Sequence, residues 1–378
     1  MKHLLFPFLL AFLMIGGKAQ HRQAPKPLDP KATKETIALY AGLHKLLGKG
    51  VIFGHQDALA YGVNWQYEPG RSDVRDVSGE HPGMFGWELG HLEVDSAKSL
   101  DDVPFQKIKG FISEAYALGG INTISWHLNN PMNGKNAWDL TPGTVASILP
   151  GGSAHPVYLG YLDRLAAFLT DLRGANGALV PILFRPFHEM TGSWFWWGQD
   201  LCTPDEYKRL WRFTVDHLRK TKGLHHILYV YNTAEFNDKE HFLTRYPGDD
   251  YVDVVSFDTY QHGGSEDFIR QIDSRLGILE KIAAERGKLP AFAETGYETI
   301  PQADWWTTVL LPPLRKYRLS YVMVWRNAGV MKNTEKLHYY APFPGHASAT
   351  DFVRFIKDPM ILSGNKTQAL DLYRSRIK

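Results

Sequence analysis

Glu189 lies in RPFHEMTGSWFWWG (Arg185–Gly198), with His188 before it and Trp194, Trp196 and Trp197 after it. Glu294 lies in LPAFAETGYE (Leu289–Glu298), directly behind an apolar run. Two carboxyls facing each other across one opening can hydrolyse a glycosidic bond. One protonates the leaving oxygen, and the other meets the positive charge that develops at the sugar carbon. Glu189 suits the acid, because tryptophan-rich surroundings and a neighbouring like charge both favour the protonated form. Once Glu294 forms a glycosyl ester its charge is gone, the repulsion on Glu189 disappears, and Glu189 acts as base toward water. Tryptophans fit such a partner, since indole faces pack flat on the apolar faces of sugar rings while polar neighbours bond the hydroxyls.

Two such groups can meet only if the fold brings positions 189 and 294 to the same end of one scaffold. Compact apolar runs recur at Val51–Phe53, Gly83–Trp87, Ile121–Trp126, Leu179–Phe184, Ile227–Tyr231, Val252–Phe257, Pro290–Ala293 and Ser320–Trp325. Continuous rather than alternating hydrophobicity marks parallel strands covered on both faces. Between them lie helical patterns. Thr203-Pro204-Asp205-Glu206 is a capping box, and Ile269, Ile272, Leu276, Leu279 and Ala283 repeat at helical spacing before Gly287. Eight strands alternating with helices predict an α/β fold of the (β/α)8 barrel type, with chemistry at the strand C-termini. The rival, an open doubly wound sheet, lacks its glycine-rich phosphate turn after the first strand. The residues just past each apolar run are polar: His55-Gln56-Asp57, Glu88, His127 with Asn129 and Asn130, His188-Glu189, Asn232 with Glu235, Asp258 with Tyr260, Glu294, and Arg326-Asn327.

At about 150 residues per domain the length suggests two or three domains, unless one large barrel uses most of it. With no linker or composition break, one barrel over 20–378 is the simpler organisation. Residues 1–19 read as an export signal: Lys2, the apolar Leu4–Ile15, and Ala19 before Gln20. No later segment is long and apolar enough to span a bilayer, and no cysteine near residue 20 could carry a lipid, so a secreted, periplasmic, monomeric protein is expected. Hydrophobic residues at 44% and charged residues at 22% exclude extensive disorder. Without the signal, Lys plus Arg falls from 42 to 40 against 40 acids, which argues against nucleic acid or an anionic membrane as partner. No cofactor or metal is expected, because His188-Glu189 lacks a second His at zinc-motif spacing and His55 has no His-x-His partner. The single cysteine, Cys202, begins a helix, and no Gly-x-Ser-x-Gly elbow occurs.

VIFGHQD (Val51–Asp57), SWHLNNP (Ser125–Pro131), RPFHEMTGSWFWWG, VSFDTYQ (Val255–Gln261), FAETGYE and VMVWRNA (Val322–Ala328) occur in one order. In these motifs the chain resembles glycoside hydrolase family 26, mainly retaining β-1,4-mannanases on a 4/7-clan barrel. His188 directly before the acid is a trait of that family. The resemblance covers nearly all of residues 20–378 and implies Glu189 as acid/base, Glu294 as nucleophile, and Tyr260 as hydrogen-bond partner of the nucleophile. It implies His127 and His188 as contacts to the sugar in the cleavage subsite, Trp325 as its stacking floor, and Trp194 close to the acid. Trp196, Trp197, Arg326 and Asp258 complete the expected substrate-binding set, although the two tryptophans could instead pack the loop. Arg185 could pin the strand end rather than meet substrate.

The expected substrate is mannan, galactomannan or manno-oligosaccharide. Xylan or mixed-linkage glucan remains an alternative, as does a carbohydrate-binding barrel without catalysis. Residues 62–81, 131–155 and 328–349 are long enough to close one end of a cleft, which would favour release of short units such as mannobiose from chain ends.

Overall fold

The computed structural model describes residues 25–331 and 334–374; the export-signal segment, residues 1–19, lies outside them. All eight apolar runs form strands: β1 (Val51–Gln56), β2 (Met84–Glu88), β3 (Ile121–Trp126), β4 (Ile182–Pro186), β5 (Ile227–Thr233), β6 (Val254–Gln261), β7 (Leu289–Tyr297) and β8 (Tyr321–Val324). Each pairs in parallel with the next, and β8 returns to β1 with Tyr321 opposite Ile52, closing a (β/α)8 barrel.

Two runs begin two or more residues later than their hydrophobicity suggests. β4 opens at Ile182 because Leu179 bridges back to Arg173, and Pro181 has no N–H to offer a ladder. β6 opens at Val254 but continues through the polar Asp258–Gln261, which stay paired to β7. A two-residue strand, Ile361–Leu362, also adds to the start of β1; so short a segment carries no periodicity.

The helix at Pro204–Asp216 starts with the complete capping box: the Thr203 hydroxyl accepts from the Glu206 N–H, and the Glu206 carboxylate accepts from the Thr203 N–H. Ser265–Arg286 ends at Gly287, whose φ of 65° is the left-handed cap glycine permits. No helix among the described residues is long and apolar enough to cross a membrane.

The barrel interior is graded. Toward the strand N-termini, Ile52, Met84, Ile121, Leu183, Leu228, Val254, Leu289 and Tyr321 form one apolar cluster, plugged by Leu39, Tyr40 and Leu43 of the helix Lys34–Leu46. Side chains alternate across a strand, so two, four or six residues further on the same inward row reaches the opposite end. There it reads Glu88, His127, Arg185, Asn232, Asp258 and Trp325. A parity of two carries these six strands from core to mouth.

Candidate active site

Glu294 departs from that parity. Leu289, Ala291 and Ala293 face the interior, so residue 294 of a regular strand would point outward. The register skips instead: Phe257 pairs with Phe292, but Asp258 pairs with Glu294, and the ladder to β8 shifts at the same place. This β-bulge at Ala293 re-aims Glu294 into the mouth. Its Oε2 accepts from the Tyr260 hydroxyl at 2.6 Å, and its Oε1 accepts from Arg185.

Glu189 reaches the same space from a kink after β4. Phe187 and Glu189 both adopt left-handed φ, 49° and 56°, a conformation that must be held from outside. Three bonds hold it: Tyr207 to the Phe187 carbonyl at 2.9 Å, Trp197 Nε1 to the His188 carbonyl at 2.8 Å, and the Glu189 N–H to the Asn232 carbonyl at 2.9 Å. The Glu189 carboxylate accepts from Trp194 Nε1 at 2.7 Å. The Trp194 indole lies directly over Gly192, where an added Cβ would stand 2.3 Å from the ring.

One oxygen from each of Glu189, Asp258 and Glu294 falls within 4.8 Å of the other two. Arg185 occupies this acidic cluster, bonding Asp258 Oδ2 at 2.9 Å as well as Glu294; a guanidinium thus already supplies the positive charge that a metal ion would bring. Asn232 donates to Asp258 at 2.6 Å and is oriented by the Ser256 hydroxyl at 2.6 Å. Glu189 is half-buried, and burial together with repulsion from Glu294 raises its pKa to about 7, against the opposing pulls of Trp194, Arg185 and His127. Burial and Glu294 push the Tyr260 phenol well above its usual range, so it remains a donor. One carboxyl at the mouth therefore keeps its proton to a much higher pH than an ordinary glutamate does.

Several expected residues sit elsewhere than expected. Trp196 and Trp197 are 0% exposed; their indoles donate to the carbonyls of Leu128 and His188, so they pack the loop and present no face to a sugar. Only Trp194, 42% exposed, faces outward from that motif. Asp258 is buried beneath the mouth, where its Oδ2 accepts from both Arg185 and Asn232 and its Oδ1 has no partner, so it supports Arg185 from below. His188 is buried, with Nε2 at 3.0 Å from His127 Nε2, so it backs His127 instead of lining the cleft. Arg185 pins carboxylates. Trp325 is half-buried, its ring centroid 6.4 Å from that of His127.

Arg326 turns away from the pair to Asp101 at 2.9 Å. It lines a cavity of about 700 Å³ together with Tyr61, Trp65, Asp101 and Val330. Two hairpins wall this cavity, Tyr61–Gly62 with Trp65–Gln66 and Gly329–Val330 with Leu337–His338. Residues 131–155 contribute nothing to it. They hold Trp138 instead, 45% exposed and stacked on His127 at 5.3 Å and 10°. Trp138 is absent from the expected binding set, although a tryptophan within NGKNAWD (Asn133–Asp139) stands out from its polar context.

A closed (β/α)8 barrel with two facing carboxyls across its C-terminal mouth, one of raised pKa and one clamped by Arg185 and Tyr260, has the architecture of a glycoside hydrolase. The glycosyl hydrolase family 26 model matches residues 28–308, and the chain belongs to that family. It is 35% identical to the mannan endo-1,4-β-mannosidase of Bifidobacterium adolescentis over 299 residues, 76% of this chain and 29% of that one. This chain therefore spans less than a third of that relative's length. It is 29% identical over 270 residues to the mannan endo-1,4-β-mannosidase of Bacillus subtilis, 68% of this chain and 72% of that one. Among solved structures, the GH26 β-mannanase of Bacteroides ovatus superposes with a TM-score of 0.88 at 44% identity, covering 92% of this chain and 99% of that one.

Proposed function

We propose that this chain is a retaining β-mannanase, in which Glu294 attacks the anomeric carbon while Glu189 protonates the departing oxygen. The observation that carries this reading is the approach of Glu189 and Glu294 oxygens to within 4.8 Å. Retaining pairs stand about 5–5.5 Å apart, whereas inverting pairs leave about 6.5–9.5 Å for a water. Tyr260 and Arg185 orient the nucleophile by holding its two oxygens. Formation of the glycosyl ester removes the Glu294 charge and with it the repulsion on Glu189. That lowers the proton affinity of Glu189 just after it has given its proton away, leaving a carboxylate free to take one from water. The names of the relatives support mannan as the substrate.

The cavity beyond Arg326 supports action near chain ends. Trp194, bonded to the acid, marks the side on which the leaving group departs, and no residue of the Glu189 loop lines the cavity. On this reading the cavity, which begins at Arg326, takes the sugars on the other side of the scissile bond. Its volume is in the usual range for small ligands, about 300–1,000 Å³, and the hairpins around it are two of the three segments long enough to form a barrier. Time-resolved NMR with product sizing on mannan and mannohexaose tests the whole reading. The expected result is a β-configured reducing end formed first and one dominant short product, mannobiose. An α-configured first product would end the double-displacement mechanism. An even ladder from the earliest times would end the chain-end version, and binding without new reducing ends would favour a non-catalytic barrel.

The chain is further proposed to be exported, monomeric and cleaved before Gln20; a mass corresponding to residues 20–378 in the extracytoplasmic fraction is the expected result, and an uncleaved chain would contradict it.

A further inference from the structure

Glu88, at the end of β2, is buried, and its two oxygens take four hydrogen bonds. Oε1 accepts from the N–H of Gly90 at 2.5 Å and of His127 at 2.8 Å; Oε2 accepts from the Ser125 hydroxyl at 2.8 Å and from His127 Nδ1 at 2.7 Å. Four donors define an acceptor-only, ionised carboxylate. None of them belongs to a lysine or arginine. A buried charge without a counter-ion is strongly unfavourable, so the compensating cation has to be the His127 ring.

The surroundings of His127 agree. With Nδ1–H given to Glu88, an imidazolium at His127 also supplies the bridging proton of the Nε2 pair it forms with His188, whose own Nδ1 is buried without a hydrogen-bond partner. His188 then accepts at Nε2 and stays neutral; burial, Arg185 and His127 all push it well below the usual imidazole range. The His127 ring lies parallel on the Trp138 indole at 5.3 Å, a contact that favours the charged form. Burial alone would neutralise His127, but Glu88 outweighs it and raises its pKa. On the carboxylate side, burial works against ionisation of Glu88, while His127 and the Ser125 hydroxyl hold it at about 2.

We propose that Glu88 is a positioning residue that keeps His127 as an imidazolium beside the reacting carboxyls, and that this fixed positive charge sets the alkaline limit of activity; the second half rests on the double-displacement reading above. The charged and titratable groups around His127 are Glu88 on β2, Asp101 in the loop after β2, Glu294 on β7, and His188 and Glu189 after β4, with Arg185 behind. Of these, Glu189 is the group the charge acts on in the reaction, because His127 opposes the burial and repulsion that keep Glu189 protonated. Without the imidazolium, Glu189 holds its proton to higher pH and releases it less readily. The alkaline limb moves upward, and hydrolysis of the glycosyl ester, which needs Glu189 as base, slows.

Glu88→Gln separates charge from shape. The amide oxygen keeps the two backbone donors, and the amide nitrogen donates to Ser125 and to His127 Nδ1, which leaves His127 neutral with its proton on Nε2. In the complete exported chain labelled with 15N-histidine, and with His127→Gln for assignment, wild-type His127 should show two protonated ring nitrogens above the pH range in which a free imidazole loses its proton. E88Q should show one. The alkaline limb of kcat/KM in E88Q should rise by about half a pH unit or more, with kcat falling further than kcat/KM. Glu93→Gln neutralises a different buried carboxylate, bonded to Trp126 and to the backbone of His91 and Asn129, and should leave the limb in place. A singly protonated wild-type His127 overturns the proposal, and that spectrum decides it even where E88Q fails to fold. A limb unmoved in a folded E88Q also overturns it. Failure of the functional reading looks different: a wild-type chain inert on every β-mannan, with the doubly protonated His127 still present.

Discussion

Glu294→Ala lowers turnover of mannan by about 10⁴-fold or more, the scale on which loss of a covalent nucleophile registers. The truncation removes the acceptor of both Tyr260 and Arg185 and opens a space beside the guanidinium. A small anion can occupy it. Added azide should therefore restore part of the activity on substrates with activated leaving groups, attacking from the face the carboxylate used and giving a glycosyl azide of inverted configuration. Product NMR checks the result. An azide of retained configuration would mean that residue 294 serves as the acid/base, and the two glutamates would have to exchange roles. No rescue together with unchanged wild-type-like turnover would remove Glu294 from the reaction altogether.

Glu189→Ala has the second largest effect, and it depends on the leaving group. General acid catalysis contributes about 10²–10⁴-fold where the departing oxygen needs a proton. Mannan and manno-oligosaccharides should lose that much, while glycosides with activated aryl leaving groups lose far less in the first step, because they depart as stable anions. The pH profile gives an independent reading. Burial and Glu294 raise the Glu189 pKa to about 7, so the acid is competent below that pH, and kcat/KM should fall as pH rises through it. The alanine variant should lack this alkaline limb. Equal losses on both substrate classes, or a limb that survives the substitution, would undo the acid assignment.

The parts of this site that can be read from the chain are those set by local rules. Continuous apolar runs gave eight strands because a parallel strand buried on both faces has no polar side to show. The Thr203 capping box and the Gly287 cap form as written because each needs contacts only within one helical turn. The paired motifs around Glu189 and Glu294 carried the two carboxyls. Contacts across the barrel are another matter. Glu88 and His127 are 39 residues apart in sequence, and nothing in either neighbourhood says that one carboxylate will collect four donors, most of them from the next strand and its end. Trp194, Trp196 and Trp197 are chemically alike and nearly adjacent, yet one faces solvent and two donate to carbonyls in the core. That division comes from the left-handed kink at Phe187 and Glu189, which needs Trp197 beneath it.

What the sequence determined by itself was the barrel, the two carboxyls and the family, since apolar periodicity and contiguous motifs survive without any knowledge of neighbours in space. The tertiary structure alone decided which way each group points. The bulge at Ala293 turns Glu294 inward, Arg185 is held between Asp258 and Glu294, and two hairpins wall the cavity beyond Arg326. Orientation of this kind depends on strand register and on the closing of a ring, and a ring closes only when its last strand meets its first.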